Sequence, residues 1–319
     1  MGDDHRSFWI TRAQSYGKSG TSTPSEHKSL AWDSGYGAGA SGPPDQQKTQ
    51  IGLPGLSAAL YRAMPADQPT IKTKMTALGE NLERLEAAID AACRAAGRRR
   101  AEVELMAVSK TYPATAVAEA AGLGLALFGE NRVQEFAAKA PELAALRGGA
   151  QVPVRVHLIG HLQSNKAARA AELFDGVDSV DSPRLAERLN EAAGKCGKRL
   201  PVLLEVKLSP EETKAGLEPE SAEAVELLER LHNLAHLEMR GLMTIAPFGV
   251  AEETTRACFR SLRQLRDRWA AAHPRLDFDV LSMGMSGDFA LALAEGATRI
   301  RIGTALFGAR PPRRNGEPA

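Results

Sequence analysis

From Ile71 onward, apolar positions recur at steps of three and four residues: Ile71, Met75, Leu78, Leu82, Leu85, Ile89 and Cys93. That period lays one apolar stripe along a helix of about six turns. Gly97 and the run Arg98-Arg99-Arg100 close it. Cations suit the negative end of a helix dipole, so the run reads as a solvated helix end before it reads as a nucleic-acid patch. Short apolar runs then alternate with helix-period segments. The strand candidates are 103–109, 126–129, 154–159, 177–180, 202–208, 239–245, 278–282 and 299–302, and the helical patterns between them include 133–146, 183–193, 221–234, 252–271 and 288–295. Strands that are continuously apolar are covered on both faces, as in a parallel sheet, and their regular alternation with helices predicts an α/β fold. The stretch from Met75 to the C-terminus approaches the ~250 residues of a (β/α)8 TIM-type barrel. The competing doubly wound sheet calls for a G-x-G-x-x-G turn after its first strand. The first strand here runs instead into Val108-Ser109-Lys110-Thr111-Tyr112-Pro113.

Upstream of the first helix the pattern is lost. Gly17, Gly20, Gly35, Gly37, Gly39, Gly42 and the pair Pro43-Pro44 stand among Ser, Thr, Gln and Asp with no sustained period, which is how a disordered segment reads. The expected organisation is a disordered N-terminal extension at 1–70, a barrel domain at 71–310 and a short flexible tail at 311–319. Charge adds an exclusion. Forty Lys+Arg against 39 Asp+Glu leave a net charge of +1, which argues against a broad basic face for nucleic acid. No apolar run approaches the roughly 18 residues of a membrane span. Met1-Gly2-Asp3-Asp4 opens no apolar leader, so the expected location is the cytoplasm. Cys93, Cys196 and Cys258 form no C-x-x-C pair and read as small buried residues in a reducing compartment. His157 and His161 have the spacing of a zinc-binding H-E-x-x-H helix, but Leu158 stands where the glutamate belongs and Gly160 interrupts, so no metal site is expected.

In a parallel barrel the functional groups sit where strands end. Lys110 directly follows the apolar run Leu105-Met106-Ala107-Val108-Ser109. A lysine there either snorkels to the rim or serves as a Schiff-base amine, made nucleophilic because desolvation lowers its pKa. The last strand continues into Gly303-Thr304-Ala305-Leu306-Phe307-Gly308, a tight turn and a short helix whose N-terminal amides suit a phosphate. The seventh ends in Ser282-Met283-Gly284-Met285-Ser286-Gly287, small residues fit to line the same group. Together with Lys110, these loops describe a ligand with an aldehyde at one end and a phosphate at the other.

Six segments in order resemble the pyridoxal phosphate homeostasis protein family. They are Ala107-Val108-Ser109-Lys110-Thr111, Phe128-Gly129-Glu130-Asn131-Arg132-Val133-Gln134-Glu135, His157 through Lys166, Gly241 through Pro247, Ser282 through Ser286, and Arg301 through Gly308. The resemblance implies a barrel like the N-terminal domain of alanine racemase, with pyridoxal 5′-phosphate (PLP) as a Schiff base on Lys110. It implies that Ser282, Gly303 and Thr304 hold the phosphate, that Arg301 faces the pyridine nitrogen and that Asn131 lines the cofactor face. Lys166 and Lys214 match further family lysines, with solvated charge the alternative for both. Lys207 departs from the pattern, since many relatives carry asparagine there. The implied role is intracellular PLP homeostasis, by buffering the cofactor or delivering it to apo-PLP enzymes, in a monomer without an established reaction. The alternative is a PLP-dependent amino-acid racemase or decarboxylase of the same fold. Two features weigh against it: only residues 311–319 come after the motif region, and an arginine on the ring nitrogen donates to it without protonating it, leaving a weaker electron sink.

Overall fold

A computed structural model gives the architecture and describes residues 76–146, 153–208 and 215–308. The segments expected to be disordered or flexible, 1–70 and 311–319, lie outside the described residues, as does Lys214. Eight parallel strands close into a barrel in sequence order: β1 (Glu104–Val108), β2 (Leu127–Glu130), β3 (Arg155–Leu158), β4 (Gly176–Val180), β5 (Leu200–Glu205), β6 (Leu237–Met243), β7 (Val280–Ser282) and β8 (Arg299–Ile302). β1 meets β8 in four Cα pairs, from Glu104↔Arg299 to Ala107↔Ile302. The helices are α1 (Ala77–Ala95), α2 (Ala114–Gly122), α3 (Val133–Leu146), α4 (Ala167–Leu173), α5 (Pro183–Lys195), α6 (Ala222–Leu231), α7 (Glu252–Ala272), α8 (Phe289–Ala294) and α9 (Thr304–Phe307). This is the (β/α)8 TIM-type barrel, preceded by the amphipathic helix α1. None of the described helices is long and apolar enough to cross a membrane.

Side-chain alternation sorts each strand into two environments. Ala107, Phe128, Leu158, Val202, Leu242 and Ile300 face outward and join one core with helix residues such as Ile89, Leu185 and Phe259. Each large side chain fully buried there contributes about 1.5–3 kcal/mol. The inward set is different. Met106, Val108, Leu127 and Ile159 form a small separate cluster inside the barrel. Gly129 makes room for it, since a Cβ there would stand 2.9 Å from both Ile159 Cδ1 and Met106 Sδ.

Toward the N-terminal ends of the strands the interior is ionic. Arg299 Nε lies 2.9 Å from Glu104 Oε2, and Arg299 Nη1 donates to Asp178 Oδ2 at 2.9 Å. Asp178 Oδ1 is 2.8 Å from His157 Nδ1. Burial alone would raise the Asp178 carboxyl, but His157 and Arg299 outweigh it and hold it below its usual value. His157 has space because Gly176 has no side chain: a Cβ there would sit 2.5 Å from the imidazole. The histidine whose spacing suggested zinc is thus part of the barrel floor. No group of metal-ligating side chains occurs among the described residues.

Three details depart from expectation. α1 begins at Ala77, where the Thr76 hydroxyl accepts from the Gly79 amide at 3.2 Å, and is correspondingly shorter. The arginines after it are not a solvated run. Arg98 Nη1 donates to the carbonyls of Leu293 and Ala297 at 3.1 and 2.7 Å, and Arg100 pairs with Glu86. Only Arg99 is largely exposed, where it pairs with Glu102; the other two reach carbonyls at and just beyond the C-terminal end of α8 and the flank of α1. Cys93 and Cys258 are buried as expected, but Cys196, the C-cap of α5, is exposed.

Candidate functional site

Met106 and Val108 face the barrel interior, and period-two alternation continues that inward face to Lys110, the first residue past the last ladder bond of β1. Beyond Lys110 the backbone leaves the extended conformation. Thr111 has φ +68°, in the left-handed region that a β-branched residue rarely enters. Its amide donates to the Glu135 carboxylate of α3. On the other flank, the Ser109 carbonyl accepts from Lys139 Nζ at 2.9 Å, and the Ser109 hydroxyl donates to Glu130 Oε1 at 2.7 Å. Lys139 Nζ also pairs with that oxygen at 2.6 Å. Burial pushes the Glu130 carboxyl above its usual value, although Lys139 opposes it. One residue further, the Tyr112 hydroxyl donates to the Gly308 carbonyl at 2.8 Å and its ring stacks on Phe307.

Strand register carries the site around the mouth. Val108↔Gly129 brings Lys110 beside Asn131, the half-buried residue past β2. Asn131 lies with Ile159, His161, Glu205, Lys207 and Ile245 around a cavity of about 320 Å³ at the C-terminal ends of β2, β3, β5 and β6. A larger cleft of about 520 Å³ lies between the start of α6 and the face of α7, and none of the expected site residues lines it. Lys207 reaches Glu218 at 3.4 Å, and His161 Nδ1 lies 3.0 Å from Asp181 Oδ2. Glu205 is the unusual member. It ends β5 with 6% exposure, and its Oε2 has no hydrogen-bond partner. Burial, then the nearby Asp181, push its carboxyl up to about 7 against the pull of Arg301.

On the opposite side, β7 and β8 bring together Ser282, Arg301, Gly303 and Thr304. Gly303 caps the four-residue helix α9, which begins at the exposed Thr304. The Ser286 hydroxyl accepts from the Ala305 amide at 3.4 Å, joining the loop after β7 to the start of α9. Ser282 is fully buried, and its hydroxyl and carbonyl accept from Arg301 Nη1 at 2.9 and 2.7 Å. Arg301 Nη2 donates to the Thr244 carbonyl at 2.9 Å. Three hydrogen bonds of the guanidinium therefore go to the barrel wall. Burial lowers the Arg301 pKa, with Asp178 and Glu205 opposing. Lys166 ends a short 3-10 turn before α4 and is half-buried.

Sequence reasoning missed Glu205, Glu130, Lys139 and Glu135. A signal was present for the first two: each is an acid at the end of an apolar strand, in Leu203-Leu204-Glu205 and Phe128-Gly129-Glu130. Glu135 closes the second family-like segment, but nothing there marked its role, and Lys139 carried no signal, because charges on a helix read as solvated until the neighbouring strand end is seen.

The family described as "Alanine racemase, N-terminal domain" matches residues 81–311. The pyridoxal phosphate homeostasis protein of Pseudomonas aeruginosa is 44% identical over 236 residues, covering 74% of this chain and 97% of its own length. That of Escherichia coli K12 is 40% identical over 237 residues, covering 74% and 98%. Among solved structures, PipY of Synechococcus elongatus with PLP bound is 43% identical, with TM-score 0.63, covering 72% of this chain and all (100%) of that one. Alanine racemase of Clostridium difficile, at 17% identity and TM-score 0.55 over 73% of this chain and 58% of its own, shares the fold alone. With its ordered motifs on a closed barrel and near-complete coverage of such relatives, the chain belongs to the alanine racemase N-terminal domain family and, within it, to the pyridoxal phosphate homeostasis proteins.

Proposed function

We propose that this chain binds PLP through the barrel domain at 71–310, with Lys110 as the covalent anchor, and serves intracellular PLP homeostasis. What supports the reading is that the alternation placing Met106 and Val108 inside the barrel extends to Lys110 just past β1, beside a β8 that leads directly into Gly303 and Thr304. The donor set fits the group. An amine stands at one strand end, and small residues with backbone amides and the hydroxyls of Ser286 and Thr304 stand at the neighbouring one, with a buried guanidinium between. Family membership and the PLP-bound PipY relative support the same assignment.

When bound, PLP supplies an aldehyde that condenses with a primary amine and a ring that delocalises charge. The chain's own residues bind and orient it. Lys110 would hold its aldehyde through the side-chain amine. Gly303, Thr304 and Ser282 would hold the phosphate with amides and hydroxyls, the Ser282 hydroxyl also accepting from Arg301. Arg301 has five N–H donors, and those not spent on Ser282 and Thr244 serve the pyridine nitrogen. Asn131 lines the face of the ring. On this reading the protein works as a cytoplasmic monomer that buffers PLP or delivers it to apo-PLP enzymes.

An absorbance spectrum of the purified protein before and after borohydride reduction, with the labelled lysine mapped, tests the anchor. The label belongs on Lys110, and Lys110→Ala abolishes it with the fold intact. A colourless protein that takes up no added PLP overturns the reading. Handover is tested separately, by loading an apo-PLP enzyme at matched free PLP. Loading that tracks free PLP alone, whether or not this protein is present, removes delivery and leaves buffering.

A further inference from the structure

Lys110 is flanked on both sides by bonds to one face of one helix. Glu135 and Lys139 are four residues apart on α3, so their side chains emerge together. Glu135 accepts from the Thr111 amide, one residue after Lys110. Lys139 donates to the Ser109 carbonyl, one residue before it. The Glu135 contact lies at the exposed rim, whereas the Lys139 contact is buried. Lys139 is 9% exposed, and its carboxylate partner Glu130, which also takes the Ser109 hydroxyl, is fully buried. The backbone between these clamps is where Thr111 occupies the left-handed region, at φ +68°. A threonine there is strained and persists only when its surroundings over-determine it. Glycine would hold the same φ without strain.

We propose that Glu135 and Lys139 are positioning residues that hold the Ser109–Thr111 backbone in its strained turn and so aim Lys110 at the bound cofactor. This rests on Lys110 being the PLP anchor. Neither residue touches the reacting atoms. Glu135 fixes the outgoing peptide, and Lys139, locked by Glu130, fixes the incoming one. Released from Glu135, Thr111 relaxes toward negative φ, and the peptide after Lys110 turns away from the mouth.

The strain supplies a test that mere structural support does not share. Full-length wild type, Glu135→Ala, Glu135→Gln, Lys139→Met, Thr111→Gly and the double variant Thr111→Gly/Glu135→Ala are loaded with PLP, and cofactor loss on dilution is monitored by absorbance. Amide exchange at residue 111 is measured on the cofactor-free proteins. Glu135→Ala is expected to lose PLP about tenfold faster, the order of one strained backbone residue, with faster amide exchange. Glu135→Gln keeps an acceptor oxygen and stays near wild type. Lys139→Met also loses PLP faster. The decisive arm is the double variant: glycine needs no clamp, so Thr111→Gly restores retention to within about twofold of the Thr111→Gly single variant. Retention unchanged in Glu135→Ala, or a double variant as leaky as Glu135→Ala, overturns the inference while the anchor stands. If Glu135→Ala does not fold, Glu135→Gln against Lys139→Met decides it: equal retention in both overturns it. A wild type that carries no label on Lys110 overturns the proposed function and this inference together.

Discussion

Glu205 gives the sharpest quantitative consequence of the barrel mouth. It is buried, its Oε2 is unpartnered, and its carboxyl titrates at about 7 against an ordinary 4.5. Between those values the folded protein holds a proton that the unfolded chain has released. Stability therefore falls as pH rises through this window, and the loss is complete above the folded value. At about 1.4 kcal/mol per pH unit, the ionised carboxylate costs the fold about 3 kcal/mol at alkaline pH. Glu205→Gln keeps the shape and removes the titration. Urea unfolding of wild type and variant, measured from about pH 5 to about pH 8.5, cancels the contributions of the other carboxylates in the difference. The two proteins should be within about 1 kcal/mol of each other at the acid end, since an amide buried without acceptors carries a cost of its own. The variant should then gain about 3 kcal/mol relative to wild type across the window. A difference that does not change with pH would refute the reasoning, because the carboxyl would then have no raised value to lose.

Three further outcomes rest on specific contacts. Asp178→Asn leaves Arg299 and His157 without their shared anion in the interior and should cost about 3–5 kcal/mol by chemical denaturation. Gly241→Ala should prevent normal β6–β7 pairing and lower the melting temperature sharply, since φ is +146° and a Cβ would stand 1.9 Å from the Val280 carbonyl oxygen. Arg98→Ala should cost about 1–3 kcal/mol through the two carbonyls it leaves unpaired, whereas Arg99→Ala, at a side chain 83% exposed, should be nearly neutral.

The barrel was readable because its strands are apolar on the outward face and its longer helices keep a clear period. Strand 299–302 and helix 133–146 coincide with β8 and α3. Boundaries slipped where ladder bonding and apolar character part company. Apolar residues recur through Val206 and Leu208, but β5 ends at Glu205; past it Val206 donates one more bond to the Met243 carbonyl and forms an isolated bridge with Leu217. α2 and α4 did not stand out as patterns, because Ala-rich segments such as Ala167-Ala168-Arg169-Ala170-Ala171 carry little amphipathic contrast. At the site, Lys110, Gly303 and Thr304 could be singled out because strand ends and small-residue turns mark themselves in sequence, and Asn131 and Arg301 through the family resemblance. The groups that orient them could not. Whether Lys139 points to water or under a strand end depends on the register of α3 against β1, which only the folded chain contains.

The ionic floor has a consequence for biosynthesis. Glu104 lies on the first strand and Arg299 on the last, 195 residues apart; Asp178 comes between them in the chain, and in space the Arg299 guanidinium bridges the two acids. A nascent chain that has not yet delivered β8 holds an acid inside its half-closed wall with only His157 beside it, an arrangement that resists dehydration. The early strands thus have reason to stay open until the last one arrives. Completion of the barrel is then favoured by charge as well as by strand pairing.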